Sequence, residues 1–207
     1  MSEDGYRPEE WGAKCDSCPL RAQGATPVAP QWASNLRGPS QGVGTGVRAI
    51  IVVGDSPGMH DVKRGKQFIG PAGVKLDEML WNAGLKRSQV LGLTTALLCR
   101  PEAPDEVGRK RYDLKVWMAW WRKENVKRKK FGERLMANPF ECCAPRLQGE
   151  LEDAEVIARR LAQNLVVMPV GNFALAALQG ASGKAQSIAK YRGSVIEKVG
   201  HSEESLC

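Results

Sequence analysis

Three short apolar runs alternate along the chain with segments in which apolar residues recur at helical spacing. The apolar runs cover residues 47–53, 90–98 and 165–170. Runs that are apolar at nearly every position are typical of parallel strands covered on both faces. The helical spacing covers residues 74–83 and 145–163 and returns in a short Ala-rich segment after Gly171. This alternation predicts an α/β fold with a short, mostly parallel central sheet and helices on both faces.

The length and composition of the chain favour a single domain over residues 1–207. A chain of 207 residues, of which 43% are hydrophobic, can bury a full core. It contains no run of about 18 apolar residues, so we expect no membrane span. Residues 1–5 are acidic and polar and lack the basic and apolar regions of a secretory signal. We therefore expect a cytoplasmic protein, whose six cysteines are more suited to binding metal than to pairing.

Positive charge is concentrated in one segment. Residues 109–134 contain eleven Lys or Arg and three acidic residues, so this segment carries +8 while the whole chain carries +7. We therefore expect a basic insertion, residues 102–141, within an otherwise near-neutral domain. Such a segment matches the phosphate backbone of nucleic acid, and an acidic protein partner explains it equally well. The candidate contact residues are Arg109, Lys110, Arg111, Lys115, Trp120, Arg122, Lys123, Lys127, Arg128, Lys129 and Lys130.

An amphipathic helix is expected inside this insertion. Four apolar residues recur at i, i+3, i+4 and i+7, which is one face of a helix. They are Leu114, Trp117, Met118 and Trp121. Trp120 lies off that stripe, so it is the tryptophan expected to be exposed and to stack on unpaired bases. Two alternatives stay open: the tryptophans pack a helical hairpin under solvated charges, or Trp and Arg form a protein-docking surface.

A candidate site follows the first apolar run. Residues 54–58 read Gly-Asp-Ser-Pro-Gly. A strand that ends in a Gly/Pro turn places backbone N–H groups at the carboxyl edge of a sheet, where open α/β folds bind ligands. Asp55, Asp61 and Phe68 are the side chains with chemistry in this loop. The alternative is a structural turn, in which an aspartate caps a helix and Phe68 belongs to the core. Neither the P-loop nor the dinucleotide-binding glycine motif occurs, so nucleotide binding is disfavoured.

Four of the six cysteines form a pattern that is typical of a metal centre. Cys15 and Cys18 are a C-x-x-C pair. Cys99 and one of Cys142 or Cys143 complete a four-sulfur shell. The alternative is a buried or redox-active pair of thiols. Thiolate spacing alone does not separate zinc from a [4Fe-4S] cluster.

Residues 54–73 resemble, without a gap, the first motif of the iron-sulfur uracil-DNA glycosylases, often called family 4. The resemblance continues through residues 166–174 and 187–193 and covers most of the chain outside the insertion. It implies a uracil-DNA glycosylase-like fold and DNA as partner, single-stranded or with a flipped base. It also implies that four cysteines hold a [4Fe-4S] cluster, namely Cys15, Cys18, Cys99 and Cys143. Cys142 is then a neighbour, and Cys207 has no counterpart.

The resemblance also implies roles for the loop residues. Cleavage of an N-glycosidic bond develops positive charge on the sugar, so the site needs an anionic group, a positioned water and a slot for the flipped base. In the family, the position of Asp55 is typically Glu, that of Asp61 is an acid that positions water, and the aromatic at Phe68 stacks on uracil. Asp55 and Asp61 are thus the catalytic candidates. The base pocket consists of Gly54, Ser56, Pro57, Gly58, Phe68 and Thr95.

Three departures from the family pattern weaken the expected activity. Thr95 stands where the family has the Asn that reads the uracil edge, and a hydroxyl cannot reproduce the paired donor and acceptor of a carboxamide. The family's His-Pro loop is absent, since residues 195–199 run directly to a polar tail with His201. Asp55 has a shorter reach than Glu, which matters where geometry must hold within about half an ångström.

We therefore expect a DNA-binding iron-sulfur protein of this superfamily whose base excision is weakened or lost. It would act as a module in DNA replication or repair, for example beside a polymerase. One alternative is an active glycosylase for uracil or another modified base, in which Asp61 holds water, Phe68 stacks and Thr95 alters base choice. The other is a structural four-cysteine metal protein used for protein docking.

Overall fold

The sheet is built from four strands. The computed structural model describes residues 6–33, 47–104, 112–180 and 187–191. Within this part, the strands are β1 (Gln31–Trp32), β2 (Arg48–Gly54), β3 (Val90–Thr95) and β4 (Val166–Val170). Their spatial order is β1-β3-β2-β4, with β2 parallel to both β3 and β4 and with β1 antiparallel to β3. The expected short, mostly parallel sheet is confirmed, although β3 ends at Thr95 rather than at residue 98.

Helices lie between β2 and β3 and between β3 and β4. The α-helices of the described ranges are α1 (Pro19–Ala22), α2 (Met59–Arg64), α3 (Pro71–Asn82), α4 (Leu114–Lys130), α5 (Pro139–Arg160) and α6 (Asn172–Leu178). Short 3-10 helices cover Pro8–Trp11, Cys15–Ser17, Arg87–Gln89 and Ile188–Tyr191. Among the helices assigned here, none combines the length and the apolar character that crossing a membrane requires.

β2 is the centre of the core because its side chains are buried on both faces of the sheet. Ile51, Val52 and Val53 have no exposed surface. Ile51 and Val53 belong to a cluster with residues of α5 and α6. Val52 belongs to a different cluster, in which it meets α3 and Phe68. Helices therefore cover both faces, as the continuous apolar run of this strand predicts.

Two helices begin earlier than predicted, in both cases at a proline. α3 starts at Pro71 rather than at residue 74, and α5 starts at Pro139 rather than at residue 145. Proline is favoured in the first turn because its missing N–H is not needed there. Pro145 lies inside α5, so the expectation that a helix starts at this residue is wrong. Asn138 explains the earlier start, since its Oδ1 accepts a hydrogen bond from the N–H of Phe140 at 3.0 Å and caps the helix.

The basic segment predicted as an insertion contributes α4, which packs into the main core. Asp113 caps this helix, because its Oδ1 accepts the N–H of Lys115 at 2.8 Å. Trp117 and Met118 are buried in a cluster with residues of α5, α6 and the segment after β3. The indole N–H of Trp117 donates to Oε1 of Gln23 at 3.2 Å. The amphipathic helix predicted from the apolar stripe is therefore confirmed, and it shares its core with the sheet domain.

Replacing Trp117 with Ala is expected to lower the free energy of unfolding by about 3–5 kcal/mol, because it empties a fully buried site. Trp81 is 71% exposed and is the matched control. Trp81→Ala is expected to change the stability by less than about 0.5 kcal/mol. Chemical denaturation followed by circular dichroism measures both. Two separated unfolding transitions, of which Trp117→Ala affects only one, would contradict a shared core.

Candidate functional site

Several predicted site residues meet at the carboxyl ends of β2 and β3. Gly54 ends β2 and pairs in register with Thr95, the last residue of β3. The buried ring of Phe68 lies against these strand ends. A Cβ atom built on Gly54 would lie 2.8 Å from Cζ of Phe68 and 3.1 Å from Cγ2 of Thr95, so only glycine leaves room for this approach. The three residues thus lie together at the sheet edge where α/β folds bind ligands.

Asp55 is bound to the first turn of α6. Its Oδ1 accepts a hydrogen bond from the N–H of Ala174 at 2.7 Å, and the carboxylate also accepts the N–H of Phe173. The carboxylate lies directly against Gly171, whose φ of +131° and lack of a side chain permit the contact. Burial raises the pKa of Asp55 above its ordinary value, and the two N–H groups offset part of this effect. Asp55 therefore serves as an N-terminal cap of α6.

Asp61 holds the loop closed through both of its carboxylate oxygens. Oδ2 accepts the N–H of Gly58 and Oδ1 accepts the N–H of Ile69, each at 2.8 Å. The first contact caps α2, and the second reaches the chain next to Phe68. Asp61 is only 7% exposed. This geometry matches the capping alternative, and a water-positioning role for Asp61 remains a prediction.

The turn between β2 and α2 contains the other predicted pocket residues. Pro57 is buried, Ser56 is half-buried, and Gly58 is exposed at the N-cap of α2. The turn directly follows Gly54, so all three residues lie near the carboxyl end of β2. Their position is therefore set by the strand end on one side and by the carboxylate of Asp61 on the other.

The hydroxyl of Thr95 forms hydrogen bonds within the protein. Oγ1 donates to the carbonyl of Leu97 at 2.7 Å and accepts a hydrogen bond from Nε2 of Gln67 at 3.3 Å. The methyl carbon Cγ2 is the atom that approaches Gly54. Thr95 is only 2% exposed. Its hydroxyl therefore stabilises the segment after β3, and its methyl group lies next to the end of β2.

Gln67 is a residue of this region that the sequence analysis missed. It has no exposed surface, and its Nε2 also donates to the carbonyl of Val28 at 2.8 Å. Its Oε1 is buried without a hydrogen-bond partner in the part of the chain that the structure describes. Glutamine is more often exposed than buried, so the local sequence carries no signal for this position. The structure places a carboxamide beside Thr95, where the family resemblance implies an Asn.

Arg87 stabilises the backbone of Phe68 and was also missed. Phe68 has a φ of +54°, a left-handed conformation that is strained for a residue with a side chain. Nη2 of Arg87 donates to the carbonyls of Phe68 at 2.7 Å and Gly73 at 3.1 Å. The same guanidinium binds both carboxylate oxygens of Asp77, at 2.7 and 3.1 Å. Since Asp77 lies on α3, Arg87 joins this helix to the loop and holds Phe68 in place.

Five free cysteines are buried in the described ranges. One core cluster contains four of them, Cys18, Cys99, Cys142 and Cys143. Cys15 is close enough to interact with this group electrostatically. Its pKa is raised to about 12 by burial, then by Glu9, and then by the charge of Cys143. The structure therefore brings the four cysteines of the sequence pattern, together with Cys142, into one region.

Cys143 interacts with the three other predicted ligands. After burial, which is the largest cause, a charge on Cys143 helps to raise the pKa values of Cys15, Cys18 and Cys99. Cys142 contributes in this way to Cys18, and its sulfur lies 3.9 Å from Oγ of Ser17. The assignment of Cys143, rather than its neighbour, as the fourth sulfur stays a prediction.

The donor set, four cysteine thiols, suits either an iron-sulfur cluster or a zinc ion, and the cluster stays a prediction. In residues 6–33, 47–104, 112–180 and 187–191, no group of three or more His, Cys, Asp or Glu is arranged to hold a metal ion. Burial raises the pKa of the Cys18 thiol to about 11, and the backbone N–H groups of Arg21 and Leu20 offset part of this effect.

Arg146 connects the cysteine region to the strand ends. It lies on α5, close after the cysteine pair, and has no exposed surface. Nη1 donates to Oε2 of Glu150 at 2.8 Å and to Oγ1 of Thr94 at 3.1 Å. Nη2 donates to the carbonyls of Thr95 at 2.8 Å and Ala96 at 2.9 Å. One side chain therefore binds the helix that carries the cysteines to the end of β3.

Trp120 is less exposed than expected. This residue is half-buried, and its ring packs at 5.7 Å and 58° against that of Trp117, while its stacking on unpaired bases stays a prediction. Trp81 on α3, which the sequence analysis did not single out, is the most exposed tryptophan. Among the basic candidates, α4 carries Lys115, Arg122, Lys123, Lys127, Arg128, Lys129 and Lys130. Outside the described residues lie Arg109, Lys110, Arg111, residues 195–199, His201 and Cys207.

Comparison with known families shows the superfamily to which the chain belongs. The family model described as "Uracil DNA glycosylase superfamily" matches residues 42–202. This range includes β2, β3 and β4, the loop with Asp55, Asp61 and Phe68, and the helix with Cys143. The chain therefore belongs to the uracil-DNA glycosylase superfamily. The segment with Cys15 and Cys18 lies outside the match.

Individual relatives confirm the narrower resemblance to the type-4 enzymes. The chain is 41% identical over 71 residues to a type-4 uracil-DNA glycosylase of Archaeoglobus fulgidus. This aligned segment covers 32% of the chain and 35% of that relative. It is 32% identical over 88 residues to a type-4 uracil-DNA glycosylase of Thermotoga maritima. This aligned segment covers 42% of the chain and 39% of that relative. The chain thus spans little more than a third of the length of the curated relatives it matches.

Replacing Arg146 with Met is expected to lower the free energy of unfolding by about 3–5 kcal/mol. The reason is that the change leaves Glu150 buried without its ionic partner and removes the donor from two carbonyls. Arg159→Met is the matched control, because the Arg159–Glu155 pair is exposed and contributes at most about 0.5 kcal/mol. Urea denaturation measures both variants. An Arg146→Met variant as stable as the wild type would contradict the linking role of Arg146.

Proposed function

We propose that this chain is a DNA-binding member of the uracil-DNA glycosylase superfamily in which base excision is weakened or lost. It acts as a module in DNA replication or repair in the cytoplasm, for example in association with a polymerase. One observation carries the proposal: the polar side chains at the candidate site are used in the protein's own hydrogen bonds. Both oxygens of Asp61 and Oδ1 of Asp55 accept backbone N–H groups. The hydroxyl of Thr95 donates to a carbonyl.

These hydrogen bonds compete with the chemistry that excision needs. A carboxylate that positions a water or stabilises a developing positive charge must direct a free lone pair at the reacting atoms. The carboxylate of Asp61 instead holds two ends of one loop, and that of Asp55 holds α6. Phe68, by contrast, is held firmly at the strand ends by Arg87. The site therefore keeps the shape of a base-binding region, whereas its reactive groups are engaged in structural hydrogen bonds.

Release of uracil from a single-stranded oligonucleotide tests this proposal. We expect turnover about 10²-fold or more below that of an active type-4 enzyme run in parallel, because positioned acid–base groups typically contribute at least that much. Asp61→Asn is the diagnostic variant, and Glu152→Gln, which removes an exposed carboxylate on α5, is its control. Robust turnover by the wild type that disappears in Asp61→Asn and persists in Glu152→Gln would overturn the proposal.

An active glycosylase with a different base choice is the second candidate, and Gln67 favours it. Its buried Oε1 has no partner within the described ranges, and its Nε2 lies 3.3 Å from the hydroxyl of Thr95. A carboxamide can offer a donor and an acceptor to the edge of a base. In this case Asp61 holds the water and Phe68 stacks on the base. Running the same release assay on a panel of modified bases separates the two candidates.

We also propose that Cys15, Cys18, Cys99 and Cys143 hold a [4Fe-4S] cluster. When bound, the cluster supplies cross-links between the N-terminal segment, the segment after β3, and α5. The chain already brings these three segments together. The N–H of Lys14 donates to the carbonyl of Cys142 at 2.9 Å, and Pro27 forms an isolated bridge with Cys99. The role of the cluster is therefore structural.

The purified chain is expected to contain about four iron and four acid-labile sulfide atoms and to be brown. Cys143→Ser is expected to lose most of this iron and to melt at lower temperature, because one of four ligands is removed. Cys142→Ser is the matched control and is expected to keep its iron. Elemental analysis and visible absorption measure the outcome. Zinc in place of iron, or iron lost from Cys142→Ser but kept in Cys143→Ser, would contradict this ligand set.

A further inference from the structure

The solvent side of α4 carries positive charge along its whole length. Counted from Lys115, exposed basic residues recur at i+7, i+8, i+14 and i+15, so they lie along one side of the helix. We term this side the basic face. It consists of Lys115, Arg122, Lys123, Lys129 and Lys130. The buried Trp117 lies on the opposite side, so the core holds the basic face outward.

No acidic side chain lies on the basic face. Glu124 is the acid within α4, and it lies on another side of the helix, where it pairs with Lys127 at 3.4 Å and Arg128 at 3.7 Å. Over the ranges that the structure describes, four lysines of the face form no salt bridge, namely Lys115, Lys123, Lys129 and Lys130. Their charge is therefore not compensated by this part of the protein.

Helix stability explains only part of this charge. Cations in the last turn interact favourably with the helix dipole, which accounts for Lys129 and Lys130. Lys115, however, lies in the first turn, where a cation is unfavourable, and Lys123 lies in the middle of the helix. The pair Lys123 and Lys127 places like charges at i and i+4, which is also unfavourable. The basic face is therefore better explained by binding than by folding.

The composition of the basic face favours phosphate over an acidic protein surface. Protein interfaces are enriched in aromatic residues and Arg and depleted in Lys, whereas Lys dominates here. The tryptophans of α4 pack inward: Trp117 is fully buried, and the indole N–H of Trp121 donates to the carbonyl of Ala137 at 3.0 Å. Contacts between lysine and phosphate oxygens need no apolar anchor, because they act through charge.

The length of the basic face matches a stretch of nucleic-acid backbone. At about 1.5 Å per residue, Lys115 and Lys130 lie about 22 Å apart along the helix axis. Phosphates of one strand follow each other at about 3.4 Å along a duplex, so the face covers about six of them. Several lysines can therefore contact successive phosphates at the same time.

We propose that the basic face of α4 binds the phosphate backbone of DNA without reading its sequence and so supplies affinity that is separate from the base pocket. The inference rests on the proposed function, because that function takes DNA rather than another polyanion as the partner. It needs no excision chemistry. Contacts to phosphate fix position and contribute affinity, and they carry no base information.

The salt dependence of DNA binding tests this inference on the full chain. The diagnostic variant is Lys123→Gln/Lys129→Gln/Lys130→Gln. The control, Arg48→Gln/Arg159→Gln/Arg160→Gln, removes the same charge at the start of β2 and the end of α5, which is the opposite edge of the sheet from the candidate site. Fluorescence anisotropy over a salt series uses a labelled, uracil-free oligonucleotide, as a single strand and as a duplex. Thermal unfolding verifies that both variants are folded.

Each lost phosphate contact lowers the slope of log K against log salt by about 0.7–0.9, so the α4 variant is expected to reduce the slope by about 2–3. The control is expected to keep the wild-type slope. A reduction on only one of the two DNA forms identifies the backbone that is bound and supports the inference.

Three outcomes would overturn it: an unchanged slope in the α4 variant, an equal reduction in both variants, or competition by polyglutamate as effective as that by unlabelled DNA. Wild-type chain that binds no DNA would reject the proposed function as well. DNA binding with an intact slope in the α4 variant would reject this inference alone.

Discussion

The arrangement of the whole site depends on how the guanidinium of Arg146 is accommodated inside the protein. A buried cation loses several kcal/mol of hydration unless an opposite charge and hydrogen bonds replace the water. Glu150 supplies the charge, the carbonyls of Thr95 and Ala96 accept N–H groups of Nη2, and Nε is left buried without a partner within the described residues. Because Glu150 also accepts the hydroxyl of Tyr6 at 2.8 Å, the network extends from the N-terminal segment through α5 to the sheet. The helix that carries Cys143 cannot shift without unpairing these groups, so the strand ends and the cysteine region keep one relative position.

At the strand ends, the hydrogen bonds that shape the loop use the atoms that catalysis would need. Phe68 is held in a left-handed conformation, which typically costs about 1–3 kcal/mol. Two contacts offset this cost. Arg87 donates to the carbonyl of Phe68 from outside the site, and Asp61 accepts the N–H of Ile69 from within the site. Here Asp55 and Asp61 carry these positioning contacts, which supports the proposal that base excision is weakened.

The pattern of apolar residues correctly predicts β2, β4 and the apolar stripe of α4, because each of these elements is encoded by residues close together in the sequence. The start of α5 is mispredicted because Pro145 is a stronger local stop signal than the Asn138 cap. Arg87, Gln67 and Arg146 carry no such signal, since each binds backbone carbonyls that are distant along the chain. For the aspartates, the pattern predicts the position but not the role. Helix capping and acid–base chemistry both favour a short carboxylate just after a strand, and only the hydrogen-bond partners distinguish them.

The insertion and the cysteine region share one core, so DNA contact and metal binding are physically linked in the two proposals. Trp117 and Met118 of α4 pack in the same cluster as Cys18 and Cys99. The basic face is the other side of that helix, so residues around the cysteines determine its orientation. Fixed charges bind a partner better than mobile ones because less conformational freedom is lost on binding. A metal centre that keeps this core rigid would therefore strengthen DNA binding without touching DNA.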